Sequence, residues 1–301
     1  MIISLITGST GFIGQRLTNA LDGQVRVLSR ENQIKFDTII CDLCVDDIPK
    51  HAFKDVKVVY HLAGYSHDLQ KTSKISHHYS SLNIDATVKL AKLSVKYGVK
   101  KFIFISSVKA GGVPKSGICS TELDQGIPED IYGFTKRKAE LELLKIGNNS
   151  NMDIIIIRPA LVYGPGVKGN LKTMLGGIKK GWFPPLPKSS KKRSMIHVDD
   201  LVRAILFVNK NVSFSNEIFI AAENNFYSSR EIYIAMCHML GKEIPKWTLP
   251  NFFFELISLL SPSIKYKVNK LLGEESYSSS KLQKLGFETK KTLKDFNETD
   301  F

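Results

Sequence analysis

The sequence predicts an α/β fold in which a doubly wound parallel sheet carries helices on both faces. Short apolar segments rich in Val, Ile and Phe alternate with segments of helical periodicity through the first half of the chain. A glycine-rich turn joins the first apolar segment to the next, as is typical of the strand-to-helix junction that opens such sheets. With 301 residues, 43% of them hydrophobic, the chain is long enough to bury a substantial core.

The first strand runs into three glycines, Gly8, Gly11 and Gly14, and then into a helix-competent segment. Gly8 permits a tight turn, Gly11 lets a ligand approach bare backbone, and Gly14 lets the helix pack closely on the strand. Free N–H groups at the start of that helix favour an anion, so the turn predicts a dinucleotide diphosphate site and a Rossmann-type sheet. A turn that binds nothing is the alternative, which the flanking strand and helix disfavour. The predicted contacts are Gly8, Ser9, Thr10, Gly11, Phe12, Ile13 and Gly14.

The second strand, residues 24–29, ends where an acidic residue usually binds the adenine ribose of NAD. Ser29 and Arg30 stand there instead. No carboxylate repels a 2′-phosphate at this position and a guanidinium can pair with one, so NADP(H) is favoured, with NAD as the other possibility. The alternative for Arg30 is a solvated charge at the end of a strand.

Further strands and helices follow in alternation, and a change of pattern then marks a second unit. Beyond Tyr163 the sequence loosens into Gly- and Pro-rich pieces, and loops of that composition commonly contact a ligand. We therefore predict a dinucleotide-binding unit of residues 1–165 and 194–222, and a smaller C-terminal substrate-binding unit of residues 166–193 and 223–301. The predicted strands are residues 38–41, 56–62, 101–107, 152–158 and 194–198, and the predicted helices are residues 82–97, 130–146 and 201–208.

Candidate catalytic groups lie at the middle of the predicted sheet. Tyr132 and Lys136 are four residues apart, so both project from one face of the predicted helix. An ammonium near a phenol favours the phenolate, and we expect it to lower the pKa of Tyr132 toward neutrality. Ser107 ends a predicted strand, at the carboxyl edge where doubly wound sheets bind ligands. An ordinary helix surface is the alternative for the tyrosine and lysine alone, but with Ser107 and the glycine turn they predict a catalytic set.

Together these motifs resemble those of the extended short-chain dehydrogenases/reductases, a family of nucleotide-sugar epimerases, dehydratases and reductases. The resemblance covers nearly the whole chain and implies a homodimer that binds a UDP-sugar. The second half is similar to bacterial enzymes that act at C4 of UDP-linked N-acetylhexosamines in surface-polysaccharide synthesis. The segments that carry the resemblance are residues 7–14, 42–43, 61–64, 158–166 and 193–201, with Asn83, Ser107, Tyr132 and Lys136.

The resemblance also implies which residues bind. For the substrate it implies Arg158, Asn170 and Arg193, and a planar guanidinium at Arg193 can meet a diphosphate bidentately. A helix N-cap is the alternative for Asn170. His197 is expected to pack under the loop and not to transfer protons. For the cofactor the resemblance adds Asp42, Leu43, Leu62, Ala63, Gly64, Asn83, Tyr132 and Lys136 to the glycine turn and Arg30.

Two chemistries at C4 would use the same residues. An NADPH-dependent reductase delivers hydride to a 4-keto-6-deoxy sugar, while a 4-epimerase oxidises C4 with bound NAD and returns hydride to the other face. Arg30 favours the reductase, because an epimerase recycles its cofactor and gains nothing from the cellular NADPH pool. A dehydratase would show an acidic residue after the catalytic serine, where Val108 and Lys109 stand. A non-catalytic NADPH-binding sensor is the third alternative, which intact Tyr132 and Lys136 disfavour.

Composition limits the partners further. The net charge is +13, but the lysines are dispersed without an aromatic-interleaved stripe, which argues against nucleic acid. Cys41 and Cys44 have no second ligand pair nearby, so we expect no metal, reduced thiols and a cytoplasmic protein. The longest apolar tract, residues 252–260, is too short to insert across a membrane. Flanking prolines favour a core helix there, and a membrane-surface helix is the alternative.

Overall fold

Seven strands form one parallel sheet in the computed structural model, which describes residues 3–65, 73–210 and 215–295. The strands are β1 (Ile3–Thr7), β2 (Gln24–Ser29), β3 (Asp37–Ile40), β4 (Val56–His61), β5 (Lys101–Ile105), β6 (Asp153–Pro159) and β9 (Glu217–Ala221). Their spatial order is β3-β2-β1-β4-β5-β6-β9, and every neighbouring pair is parallel. The winding direction reverses between β1 and β4, which opens a crevice at their carboxyl ends. This arrangement confirms the predicted doubly wound fold.

Helices cover the two faces of this sheet. In β5, Phe102 and Phe104 belong to one core cluster, whereas Ile103 and Ile105 belong to the other, as alternation along a strand requires. Because both faces are covered, the strand is apolar almost throughout. The helices of this part are α1 (Phe12–Ala20), α2 (Ser73–Ser80), α3 (Ala86–Lys96), α4 (Ile131–Asn148) and α6 (Val198–Lys210).

A third core cluster lies under the second part of the chain, around Met174, Leu186 and Met236. The division of the chain into two units stays a prediction, and one segment departs from the predicted boundary. Leu282 and Phe287 pack into a core cluster of the large sheet. The elements of this part are β7 (Leu161–Tyr163), β8 (Arg193–His197) and β10 (Phe226–Tyr227), with α5 (Gly169–Lys180), α7 (Ser229–Met239), α8 (Asn251–Ser258), α9 (Pro262–Leu272) and α10 (Ser280–Lys284).

Most predicted elements are found within two residues of their expected ends. Helix α6 begins at Val198, three residues before its predicted start. The predicted helix 82–97 also differs in type, because its first turn is a π-helix at Ser81–Asp85 and α3 follows it. The predicted strand 101–107 ends at Ile105, and Ser107 caps the short 3₁₀ turn Val108–Gly111. The last two departures place a candidate site residue at an irregular point of the backbone, where π turns are often functional.

The apolar tract 252–260 is not a core helix, contrary to the favoured interpretation. In α8 Phe254 is buried, whereas Phe252, Leu256 and Ile257 are 57%, 58% and 42% exposed. One side of this short helix faces the third core cluster, and the other side is left at the surface. Among residues 3–65, 73–210 and 215–295, no helix combines the length and the apolar character that a membrane crossing requires.

Candidate active site

The glycine turn lies between β1 and α1, against the end of β4. Gly8 has a φ of +73°, and a Cβ there would stand 2.6 Å from the backbone nitrogen of Ala63. The Gly11 N–H donates to the Gly8 carbonyl at 3.0 Å, which closes the turn. A side chain at Gly14 would collide with that same carbonyl. The turn therefore requires these glycines, Gly8 to lie against the backbone of Leu62 and Ala63 and Gly14 to bring α1 close to the turn.

The residues predicted for the adenine side of the cofactor follow the ends of β2 and β3. Arg30 is exposed directly after β2, close enough to lower the pKa of the Cys44 thiol, although burial raises that pKa overall. The Asp42 carboxylate accepts the Cys44 N–H at 2.9 Å, and Leu43 is buried. In the glycine turn, the Ser9 hydroxyl accepts from Gln33 Nε2 at 2.6 Å. Gln33 is a neighbour of the turn that the sequence did not point to.

Ser107 and Tyr132 meet where β5 and α4 approach each other. The Ser107 side chain hydrogen-bonds the phenol of Tyr132, and its Oγ accepts the Lys109 N–H at 3.2 Å. Tyr132 lies in the first turn of α4, which Asp130 caps by accepting the Gly133 N–H at 2.7 Å. Two local caps thus fix the two hydroxyl groups relative to each other.

Lys136 lies one turn further along α4, with its side chain buried. Its Nζ donates to the Ile105 carbonyl at 2.8 Å and stands 4.4 Å from the centroid of the Phe104 ring. A Cβ at Gly64 would lie 3.2 Å both from this Nζ and from Asn83 Oδ1. Lys136, Gly64 and Asn83 are therefore brought together at the carboxyl edge of the sheet.

The pKa expected for Tyr132 is wrong in direction. Burial raises it to about 12, and the hydrogen bond from Ser107 only partly offsets this effect. Burial also lowers the pKa of Lys136 to about 8, against the influence of Glu140. Desolvation is the largest effect on the pKa of both groups, and at Tyr132 the charges of Asp130 and Glu140 raise the pKa further. The phenol is protonated near neutral pH in the structure described here.

Sequence reasoning missed a buried polar network that holds Asn83 in place. His61 Nδ1 lies 2.6 Å from Thr7 Oγ1, and His61 Nε2 lies 2.8 Å from Thr87 Oγ1. Thr87 Oγ1 in turn donates to the Asn83 carbonyl, and Asn83 Nδ2 donates to Thr135 Oγ1 at 3.0 Å. Burial, with Lys136 as a smaller cause, lowers the pKa of His61 to about 3, so the ring is neutral. The network links β1, β4, α3 and α4 beneath the site.

Arg158 is not positioned to bind a substrate. Its Nε and Nη2 donate to the two carboxylate oxygens of Glu140 at 2.9 and 2.5 Å, and both side chains are at most 2% exposed. Nη2 also reaches Gln125 Oε1 at 3.3 Å. The expected contact of Arg158 with the substrate is therefore not supported, because the buried bidentate pair with Glu140 keeps the guanidinium away from the protein surface. The pair ties β6 to α4.

Arg193 and Asn170 lie in contrasting environments, one buried and the other exposed. The Arg193 guanidinium is 9% exposed and donates to the carbonyls of Lys270, Leu271 and Gly273, at the C-terminal end of α9. Three of its five donors are used there, which leaves two for an anion. Asn170 is exposed in the first turn of α5 and is not its N-cap, a position that Lys168 holds. A substrate contact by either residue stays a prediction.

His197 is the last residue of β8, where it pairs with Tyr163 of β7, and it is fully buried, as expected for a packing residue. Its ring contacts that of Tyr163 edge to face, with centroids 5.2 Å apart, and its Nδ1 accepts the Asp199 N–H at 3.2 Å. Asp199 and Asp200 lie in the first turn of α6, where carboxylates suit the helix dipole.

The chain matches known proteins over most of its length. A family model described as "NAD dependent epimerase/dehydratase family" matches residues 4–222. A UDP-glucose 4-epimerase of Vibrio cholerae is 35% identical over 261 residues, which cover 82% of this chain and 77% of that protein. The N-acetyl-alpha-D-glucosaminyl-diphospho-ditrans,octacis-undecaprenol 4-epimerase of Escherichia coli O157:H7 is 26% identical, over 96% of this chain and 91% of its own.

Solved structures agree at the level of the fold. The UDP-glucuronic acid 4-epimerase of Bacillus cereus in complex with NAD has a TM-score of 0.81 at 22% identity, covering 99% of this chain and 95% of its own. The UDP-N-acetylglucosamine 4-epimerase of B. cereus has a TM-score of 0.77 at 17% identity, covering 99% and 95%. The comparisons favour the epimerase alternative over the reductase and lend no support to a preference for NADP. The chain, an enzyme by its family, belongs to the NAD dependent epimerase/dehydratase family of extended short-chain dehydrogenases/reductases.

Proposed function

We propose that this protein is a 4-epimerase of a UDP-linked hexose or N-acetylhexosamine that works with bound NAD. The observation that carries the proposal is the meeting of Ser107, Tyr132 and Lys136 beside the glycine turn, at the carboxyl edge of the sheet. The 35% identity with a UDP-glucose 4-epimerase supports the choice of reaction and of substrate class.

NAD fits the glycine turn by its chemistry. Among the residues that the structure describes, no side chain caps α1 and no acidic residue lies in its first turn. The N–H groups at the start of α1, from Phe12 onward, therefore suit a diphosphate. Asp42 and Leu43 would line the adenine side, and Ala63, Gly64 and Asn83 the inner end. When bound, NAD supplies a reversible acceptor for the hydrogen at C4.

Tyr132 is the group we assign to the proton at C4. As the phenolate, its oxygen takes the hydroxyl proton when C4 is oxidised, and the phenol so formed gives that proton back when C4 is reduced, with Ser107 holding the same oxygen in place. Because the phenol is protonated near neutral pH, it must first release its own proton to solvent. The Lys136 ammonium favours the phenolate form once the tyrosine has lost its proton. The same tyrosine serves in both the oxidation and the reduction of C4, because in this proposal the keto sugar rotates in the site between the two steps while the protein stays in place.

The NADPH-dependent reductase remains the competing function. Its support is Arg30, exposed after β2 and able to pair with a 2′-phosphate. An exposed arginine commonly has no binding role. We therefore give more weight to the similarity with 4-epimerases than to Arg30 in choosing the function.

A lipid-linked sugar is a second candidate substrate. One relative, 26% identical over nearly the whole chain, carries an undecaprenol-diphosphate-linked N-acetylglucosamine in its name. The exposed apolar side of α8 favours this candidate specifically, because such a substrate resides in a membrane. A UDP-sugar does not require that surface.

Two features of the setting belong to the same proposal. We assign the protein to the cytoplasm, where reducing conditions suit the free thiols of Cys41, Cys44, Cys119 and Cys237.

We also propose a homodimer through α4, on which Phe134 and Leu141 are 57% and 48% exposed at helical spacing. Sedimentation velocity tests the dimer, which Phe134→Glu should dissociate.

The deciding experiment follows the sugar without added cofactor. Purified protein is incubated with UDP-glucose and, separately, UDP-N-acetylglucosamine, and proton NMR monitors the C4 epimers, while nucleotide extracted from the protein is identified by mass. We expect epimerisation without net change in absorbance at 340 nm, and co-purified NAD. Consumption of NADPH with a 4-keto sugar, without epimerisation of either UDP-sugar, would establish the reductase instead. The matched control is Tyr132→Phe.

A further inference from the structure

Helices α8 and α9 form a hairpin with an uncovered apolar side. In α8, Phe252, Phe253, Leu256 and Ile257 are 40–58% exposed and span an arc of roughly 140° of the helix. Phe254 is buried on the opposite side, so the orientation of the helix is set by packing. We use the name hairpin face for the surface formed by six exposed apolar residues, which are Phe252, Phe253, Leu256, Ile257, Leu259 and Leu260.

Basic and aromatic residues flank the hairpin face. Lys246 and Trp247 are exposed directly before α8, and Lys265 and Lys267 are exposed on α9. Residues 246–272 contain four lysines and one acidic residue, Glu255. An apolar side bordered by lysines and tryptophan is the composition of helices that lie in the interface of an anionic membrane.

The hairpin also borders the candidate active site. The Tyr266 hydroxyl donates to Asp130 Oδ2 at 3.2 Å, two residues before Tyr132. At the other end of α9, three backbone carbonyls accept from Arg193. The hairpin face therefore belongs to an element that contacts both the catalytic helix and the strand with the predicted diphosphate ligand.

We propose that the hairpin face docks on the surface of a bilayer rich in anionic phospholipid. Its apolar residues enter the headgroup boundary, and Lys246, Lys265 and Lys267 pair with lipid phosphates. A second copy of this chain is a poorer occupant, because a two-fold contact through this face would bring the same lysines of both copies together. The docking can be tested without either substrate, so its failure is distinguishable from failure of the proposed function.

Vesicle flotation tests the docking directly. Full-length protein is mixed with vesicles of phosphatidylglycerol and phosphatidylethanolamine, or of phosphatidylcholine alone, at low and high salt. We expect recovery with the anionic vesicles, reduced by salt. Lys265→Gln/Lys267→Gln should weaken partitioning roughly 25-fold, since each lysine near an anionic surface contributes about fivefold. Phe252→Ser/Leu256→Ser should weaken it more than about tenfold.

The control is the pair Ile34→Ser/Ile40→Ser, which removes two apolar side chains that are 96% and 66% exposed elsewhere. It should float like the natural protein, and thermal unfolding verifies that each variant is folded. Failure of the natural protein to float with anionic vesicles overturns the proposal. So does sedimentation as a dimer that Phe252→Ser/Leu256→Ser dissociates, because the face would then be a protein interface. Loss of binding in the control pair to the same extent would also overturn it.

Discussion

At Tyr132 and Lys136, burial acts on two neighbouring titratable groups in opposite directions. It raises the pKa of the phenol to about 12 and lowers that of the ammonium to about 8, so both neutral forms are favoured. The ammonium is retained below about pH 8, where it can stabilise a phenolate that forms during the reaction. The sequence revealed the two residues and their spacing. It could not reveal the desolvation, because that depends on what other segments pack around them.

Replacing Tyr132 by Phe should abolish turnover and spare cofactor binding. The substitution removes only the hydroxyl that transfers the proton, and losing a positioned acid or base typically costs roughly 10²- to 10⁴-fold in rate. NMR of the C4 epimers measures the rate, and titration calorimetry measures the affinity for NAD. Ser107→Ala serves as the comparison, with a smaller loss because the phenol remains. A Tyr132→Phe variant with a near-normal rate would move the proton transfer to another group.

Glu223 should make folding stability depend on pH. The carboxyl is 2% exposed, accepts from the Tyr227 hydroxyl at 2.7 Å, and has a pKa raised by burial to about 7 from 4.5. A raised pKa favours the folded state while the group is protonated, so its stabilisation is complete below about pH 4.5 and lost as the pH rises to about 7. The loss should be on the order of 3 kcal/mol. Glu223→Gln should remove this dependence.

Thermal unfolding between pH 4.5 and 7.5 measures this effect. The melting temperature of the natural protein should fall by a few degrees relative to that of Glu223→Gln as the pH rises. Parallel curves for the two proteins across this range would show that the Glu223 carboxyl is ionised in the folded state throughout.

At the scale of elements, α4 is held to the sheet by charge as well as by apolar packing. It carries Tyr132 and Lys136 toward the site, and Glu140 toward Arg158 on β6. Helical periodicity predicted α4 and its catalytic pair, because those residues are four apart. The pairing with Arg158 spans 18 residues and two elements, so no local pattern contained it, and the family motif suggested a substrate contact instead.

Breaking this ion pair should destabilise the fold strongly. Glu140→Leu leaves the Arg158 guanidinium buried without its partner, which typically costs about 3–5 kcal/mol. Glu140→Leu/Arg158→Met should recover most of the loss, since it removes both charges. Denaturant unfolding measures each variant. The exposed pair Glu142–Lys145 on the same helix is the matched control, and Glu142→Ala should leave the midpoint unchanged. Equal effects of the two single substitutions would contradict the structural role.

Arg193 joins β8 to the end of α9, and its removal should loosen that junction. Arg193→Ala loses three charge-assisted bonds to carbonyls, for an expected cost of about 2–4 kcal/mol measured by thermal unfolding. If Arg193 also binds the diphosphate, KM for the UDP-sugar rises as well. Arg193→Lys separates the two roles, because it keeps the charge and loses the planar fork. It should restore KM more than stability, and an unchanged melting temperature in Arg193→Ala would contradict the junction.

At the scale of the whole molecule, the parallel sheet was predictable because each buried strand is a local apolar segment and each turn signal is local. The positions that the sequence could not resolve depend on contacts between distant segments. His61 meets Thr7 across 54 residues, and Arg193 meets Leu271 across 78. The exposure of one side of α8 could not be predicted for the same reason, because an apolar tract has the same sequence whether distant segments cover it or not.

NAD should stabilise the whole molecule more than NADP at equal concentration. A ligand that binds only the folded state raises the free energy of unfolding, by about 2.7 kcal/mol at a concentration of 100 times its Kd. Melting temperatures with each nucleotide measure the preference, and Arg30→Asp should widen it. A larger shift with NADP, reversed by Arg30→Asp, would favour the reductase.

The last strand of the sheet and the segment that covers it have a consequence for synthesis. Phe207 and Phe219 are joined in the core by Leu282 and Phe287, which the ribosome adds after both of them. The earlier strands emerge first, yet this side of the sheet cannot close until α10 arrives. The nascent chain therefore carries an open apolar surface from the time β9 is made until α10 follows, a surface suited to capture by a chaperone. A chain that stops before Ser280 keeps that surface permanently and becomes a substrate for quality-control proteases.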